Sequence, residues 1–216
     1  MPVFGLPSGS RALIIAPHPD DETLGAGGTL ARLAQEGVQV HILVLVAPEL
    51  DADLRAKEFD AACHTLAATD HLIAPDTPNT PYDLVGFIES GTRMGLEQLA
   101  PDLLLLPAAG SHHHDHRTVH EAALAAARPR TRAPRIVLGY RGPDDHWPEP
   151  AIPARLGVDI TRARSVKDEA LACYASQLRP DPHPRSLPRI HAMEDVAGAR
   201  AGTEAAEQFV VYRMVV

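Results

Sequence analysis

Short apolar runs with no polar member recur along the first two thirds of the chain, separated by stretches with helical spacing. Ala12-Leu-Ile-Ile-Ala16 is one such run and Leu103-Leu-Leu-Leu-Pro107 another. A strand apolar at every position must be covered on both faces, which is the condition of a parallel sheet layered between helices. The spacing predicts strands over 12–16, 38–46, 71–74, 103–107 and 136–140. Between them it predicts helices over 24–36, 52–66, 82–99 and 118–127, with Leu24, Leu30 and Leu33 turned inward and Gly37 as a stop. Beyond Tyr140 the pattern loosens. A proline-rich loop over 143–153 leads to an edge strand at 158–160, a helix over 164–176 and a closing strand over 209–216. The four prolines between Arg179 and Arg189 mark either an ordered loop near a site or a surface excursion.

The expected architecture is α/β: a Rossmann-like, mostly parallel sheet with helices on both faces, in a single domain over 1–216. No internal repeat or low-complexity linker divides it. The 45% apolar content is enough for a core, and with 4% aromatics that core must be aliphatic. A net charge of −8 and the lack of a basic run argue against nucleic acid and anionic membranes as partners. No run approaches a membrane span, and the start shows no charged-then-apolar leader, so the cytoplasm is the expected location. Cys63 and Cys173 sit in Ala-rich helical stretches outside any CxxC, and read as small core residues.

Open parallel sheets bind ligands beyond the carboxyl ends of their strands. Function is therefore expected just after Ala16, Val46, Ala74, Pro107 and Tyr140, and the richest polar clusters follow the first and fourth of these. After Ala16 comes Pro17-His18-Pro19-Asp20-Asp21-Glu22. His18 and Asp21, three apart, can face each other across one turn, while Asp20 points elsewhere. Such a segment offers an imidazole, a carboxylate ligand and one free carboxylate, the parts that a zinc hydrolase needs. The acids could instead simply cap a helix. The glycines at 25, 27 and 28 fit neither GxGxxG nor a P-loop, and close helix–sheet packing explains them better.

After Pro107 comes Ser111-His112-His113-His114-Asp115-His116, which can supply a third ligand, a histidine beside the metal and a carboxylate to orient an imidazole. A solvated loop or adventitious metal binding is the bland alternative. A serine-hydrolase elbow, GxSxG, is lacking.

Together these clusters resemble the LmbE-like, or PIG-L, family of metal-dependent N-deacetylases. His18 to Glu22 match its (A/P)HPDDE motif and His113 to His116 its HxDH motif. Weaker likenesses run along the chain: Arg55 with Glu58, Pro101-Asp102, Lys167 through Gln177, and Ala206-Glu207-Gln208-Phe209. The resemblance implies His18, Asp21 and His116 as ligands of Zn2+ or another divalent transition metal. It implies Asp20 as general base, His113 as acid or oxyanion stabiliser, and Asp115 as the residue orienting a neighbouring histidine. Arg55 and Asp83 would contact substrate, and His112 and His114 take no fixed role.

The implied substrate is a small N-acylated amino sugar or glucosamine conjugate, and a homo-oligomer stays open. A mycothiol-conjugate-type amidase would share every one of these residues. A non-catalytic metal- or sugar-binding module, or a metal-storage protein using the histidine run, are readings from other classes. Where family members carry a Thr-x-Gly turn, this chain has Val46-Ala47-Pro48, a departure on the substrate side of the site.

Overall fold

The computed structural model describes residues 2–48, 50–75, 77–78, 80–145 and 155–215. In chain order its strands are β1 (Arg11–Ala16), β2 (Gln39–Val44), β3 (Asp70–Ile73), β4 (Leu103–Pro107), β5 (Ile136–Tyr140), β6 (Arg155–Asp159) and β7 (Ala206–Met214). All seven join one sheet in the order β3-β2-β1-β4-β5-β7-β6. The pairs from β3 across to β5 are parallel, and β7 runs antiparallel to both β5 and β6. The expected α/β, mostly parallel architecture is the one found.

The helices are α1 (Asp21–Gln35), α2 (Ala52–Thr65), α3 (Pro81–Gly86), α4 (Leu96–Leu99), α5 (His114–Ala126), α6 (Arg164–Cys173) and α7 (Leu187–Ala201). The sheet divides the core in two. Ile14, Leu105 and Leu138 pack with α1, α2 and α6 on one side, and Leu13, Leu104 and Val137 with α5 on the other. Side chains that alternate across fully buried strands need cover on both faces, and the helices supply it. Leu30 and Leu33 are buried as expected, and Leu24 joins Leu171 and Ile190 in a small satellite cluster.

Several boundaries differ from expectation. The single helix over 82–99 is broken: α3 passes into a π-helical turn over Phe87–Gly91, Thr92 is extended, and α4 restarts at Leu96. Helix α5 begins at His114, inside the histidine run, and α6 ends at Cys173 so that Tyr174 can turn its hydroxyl to Glu22 at 2.5 Å. Helix α7 was not anticipated. Of the loop over 143–153, only Pro143, Asp144 and Asp145 lie among the described residues.

The glycines of α1 are packing residues. A Cβ on Gly25 would stand 2.3 Å from the Tyr140 ring, and one on Gly28 would meet Ile160 at 2.8 Å. Cys63 is buried and free, and Cys173 is half-buried and free. Among the described residues no helix is long and apolar enough to cross a membrane.

The strand order reverses between β1 and β4, where the chain's crossovers leave the sheet in opposite directions and open a crevice at the strand ends. The loops after Ala16, Pro107 and Tyr140 meet there.

Candidate metal centre

Strand β1 delivers His18 and Asp21 at the start of α1, and β4 delivers the histidine run at the start of α5. One Asp21 oxygen lies 3.2 Å from Nδ1 of His18 and 3.2 Å from Nε2 of His116. One donor atom from each of these three residues falls within 4.8 Å of the others. The same Asp21 oxygen accepts the backbone N–H of His18 at 3.0 Å, which sets its direction.

The charges agree with the geometry. Burial would raise the pKa of Asp21, but hydrogen bonds from His116 and His18 hold it far below the usual carboxylate range. Burial would lower the pKa of His116, yet hydrogen bonds to Asp145 and Asp21 push it up to about 10. His18 is raised too, burial being outweighed by Asp21 and Asp115. A carboxylate 3% exposed requires a positive charge beside it. Without an ion, protons on the two imidazoles provide that charge. Two imidazole nitrogens and a carboxylate oxygen also match the donor set of a zinc-type ion, so the residues present fit such a group.

Asp20 occupies the N-cap position of α1, its carbonyl accepting the N–H of Leu24 at 2.9 Å, but its side chain makes no capping bond. Its φ of 123° lies in the region that favours glycine, a strain of order 1–3 kcal/mol that tends to persist at functional sites. The carboxylate is 2% exposed. Arg185 Nη1 stands 3.1 Å from one of its oxygens and Arg55 Nη2 3.8 Å from the other. Burial and the neighbouring Asp21 charge raise its pKa to about 8, against the partial offset of Arg185 and Arg55. Glu22 turns the other way, accepting hydroxyl bonds from Tyr174 at 2.5 Å and Thr23 at 2.7 Å.

His113 is the N-cap of α5, its Nδ1 accepting the N–H of Asp115 at 3.3 Å. That bond keeps Nδ1 unprotonated and leaves Nε2–H as the donor. The His113 ring centroid is 4.9 Å from that of His18 and 5.0 Å from that of His116. Burial and then the charges of His18 and His116 lower its pKa. Asp115 accepts from Nε2 of His18 at 2.9 Å, so the histidine it contacts most closely is His18. Arg55 is buried and donates to the Pro19 carbonyl. Asp83 is exposed in the cap of α3, accepting the Thr80 hydroxyl at 2.6 Å, and none of its described contacts reaches the cluster.

Two residues were not singled out beforehand. Asp145 accepts from Nδ1 of His116 at 3.0 Å and from the Ser111 hydroxyl at 2.6 Å. Arg185 joins Asp20 to Asp144, its Nε lying 2.6 Å from the latter. The expectation that something functional follows Tyr140 pointed at the first. Of the two expectations for the proline-rich segment at 179–189, an ordered loop near the site is the one found: it carries Arg185 to Asp20 before α7 begins at Leu187.

A family model described as GlcNAc-PI de-N-acetylase, PIG-L, matches residues 13–127, more than half of the chain and the stretch holding both clusters. The chain belongs to the PIG-L family. A 1D-myo-inositol 2-acetamido-2-deoxy-alpha-D-glucopyranoside deacetylase 2 of Catenulispora acidiphila is 30% identical over 54% of this chain and 50% of its own length. The uncharacterized deacetylase YaiS of Escherichia coli is 32% identical over 61% of this chain and 73% of its own. The chain thus spans about half the length of the first of these PIG-L relatives. A conserved protein of Thermus thermophilus, TT1542, shares the fold with a TM-score of 0.74 and 28% identity over 95% of this chain and 96% of its own.

Proposed function

We propose that His18, Asp21 and His116 hold one divalent ion, zinc in the first place, and that the chain uses it to remove an N-acyl group from a small amino-sugar conjugate. The observation that carries this reading is the pairing of adjacent aspartates in opposite states. Asp21 is directed at two imidazoles and held ionised, while Asp20 is buried beside them, bound to neither, with its pKa raised. The deacetylases among the PIG-L relatives, one of them named for a 2-acetamido sugar, support N-acetyl as the acyl group and a glucosaminide as the carrier.

When bound, the ion would supply Lewis-acid polarisation of the acyl carbonyl and acidify a water beside it. Asp20 takes the proton of the attacking water, its burial and the Asp21 charge raising its basicity above that of an ordinary carboxylate. Nε2–H of His113 donates to the oxygen on which negative charge develops, the Nδ1 cap having fixed the ring's tautomer and tilt. The amine leaves with the proton collected by Asp20. Asp115 and Asp145 hold His18 and His116 in place.

The test is an amine-release assay over N-acetylated amino sugars and inositol glucosaminides, with metal-stripped, zinc-loaded and Asp20→Asn protein. Loss of turnover on stripping, recovery with zinc, and an Asp20→Asn variant that retains the ion yet loses most activity are expected. Near-normal turnover in Asp20→Asn would remove the base assignment, and turnover indifferent to chelator would remove the metal.

A further inference from the structure

Away from that centre, a second set of ligand-type side chains converges where α2 meets the edge strand β3. Asp60 and His64 stand one helical turn apart on α2, and His71 lies on β3. Asp60 Oδ1 is 2.9 Å from Nε2 of His71, and its Oδ2 is 3.5 Å from Nδ1 of His64. One donor atom from each residue lies within 4.8 Å of the other two. Ligands about 2.0–2.1 Å from a tetrahedral ion are about 3.3 Å apart, close to the separations of 2.9 and 3.5 Å that the two imidazoles keep from the two Asp60 oxygens. The His64 and His71 rings lie 5.5 Å apart, and Phe59 backs His71 edge-on at 5.4 Å.

We propose that Asp60, His64 and His71 form a second, peripheral site for a divalent transition cation, which clips α2 to the sheet edge. The ion would displace the contacts that Nε2 of His71 makes with Asp60 Oδ1 at 2.9 Å and that Nδ1 of His64 makes with the Asp60 backbone carbonyl at 2.7 Å. Two nitrogens and one oxygen, with water completing the shell, select zinc, cobalt or nickel over magnesium or calcium, which prefer oxygen throughout. His64 is 71% exposed on its side chain, so its ring can turn towards an ion without repacking the core. The three residues come from two elements that are already packed together, so binding orders little that is not ordered beforehand. The clip would act on the helix that also carries Arg55, donor to the Pro19 carbonyl, and Glu58, acceptor of the Ser176 hydroxyl at 2.6 Å. It is independent of the reading given to His18, Asp21 and His116.

The experiment is a zinc titration of the chelator-stripped full chain, read as bound ions per chain and as thermal midpoint. Wild type is expected to take a tight ion and a weaker one. His64→Ala and Asp60→Asn should each lose the weaker class and its share of the zinc-induced rise in midpoint, keeping their zinc-free midpoints and their turnover. His18→Ala should lose the tight class and keep the weaker one, which separates the two sites. Saturation of wild type at one ion that His64→Ala and Asp60→Asn both retain overturns the proposal. So does a weaker class that survives in both α2 variants, or one that disappears in His112→Ala or His114→Ala.

Discussion

The carboxylate of Asp145 lies 3.0 Å from Nδ1 of His116, on the far side of a ring whose Nε2 is 3.2 Å from Asp21. A histidine gripped at one nitrogen presents the other in a fixed tautomer and direction. Asp145 is itself fixed by Ser111 at 2.6 Å, so the loop after β5 and the loop after β4 are tied together at the imidazole.

Replacing Asp145 by Ala should therefore weaken zinc retention by about 10–100-fold, the usual range for removal of a carboxylate behind a metal-bound imidazole. Competition against a chromophoric chelator measures it. Asp145→Asn, which keeps an acceptor oxygen for Nδ1, should recover part of the loss. Equal affinities in wild type and Asp145→Ala would show that His116 needs no such support.

Arg185 gives a prediction about pH. Its guanidinium, 3.1 Å from Asp20, favours the ionised carboxylate. Removing it raises a pKa already near 8, and a base must be ionised to work. The acid limb of the kcat/KM profile should move to higher pH in Arg185→Ala and less so in Arg185→Lys. A shift of one unit lowers the rate about tenfold on that limb and leaves the alkaline plateau unchanged. A uniform fall at every pH would instead mean that Arg185 acts on the substrate.

Much of this was legible in the sequence because periodicity and strand ends are local properties. Leu103–Pro107 and Ile136–Tyr140 are strands at both expected ends, since apolar runs bounded by polar residues have little freedom of register. His18, Asp21 and His116 meet because the parallel sheet collects its strand ends on one side. What escaped depends on partners distant in sequence. The helix expected over 82–99 has apolar residues at helical spacing but also Gly86, Gly91 and Gly95, and it breaks between the last two, where Thr92 is extended. The chain turns there through the Gly95 N–H bond to the Thr92 carbonyl at 2.8 Å, and a Cβ on Gly95 would stand 2.9 Å from the Glu89 carbonyl, so the turn needs glycine. Helix α7 had usable signals in Pro188 in its first turn and Gly202, φ 76°, after its last, yet its apolar spacing is weak. Arg185 sits among prolines, and nothing local ties it to Asp20, 165 residues earlier.

Lys167, 1% exposed, places its ammonium 2.7 Å from Glu207 and 2.9 Å from Glu194. Glu207 in turn accepts N–H bonds from Gly28 at 2.9 Å and Thr29 at 2.8 Å, so the network joins α1, α6, α7 and β7. Burial would strip the Lys167 proton, but the two carboxylates raise its pKa instead. Lys167→Met leaves Glu207 buried without a counter-charge, while Glu194 keeps Arg164 Nε at 2.9 Å, and should cost about 3–5 kcal/mol in urea unfolding. Molecules that stay folded should bind zinc as wild type does, because none of these groups touches His18, Asp21 or His116. A loss below about 1 kcal/mol would mean that water reaches the glutamates.

The last prediction turns on which positive charge sits beside Asp21. In the stripped protein that charge is protonic, with the His116 pKa near 10 against an unfolded value of 6.5. A histidine raised in this way stabilises the fold fully below the unfolded pKa, and the contribution is lost as pH climbs through the folded one. Asp20, raised from 3.8 to about 8, has the same sign, since its native form also binds the extra proton. The stripped chain should therefore lose stability from about pH 4 to pH 8 through Asp20 and from about pH 6.5 to pH 10 through His116, by at most about 1.4 kcal/mol per pH unit for each such proton. An ion needs the imidazoles deprotonated, so its apparent affinity should rise over the latter interval. Zinc added at pH 7 in weak buffer should release protons, readable with an indicator dye. Denaturation midpoints of stripped and zinc-loaded protein should diverge as pH increases. Parallel midpoints with no proton release would mean that the ion binds elsewhere, with Asp21 keeping its protonated partners.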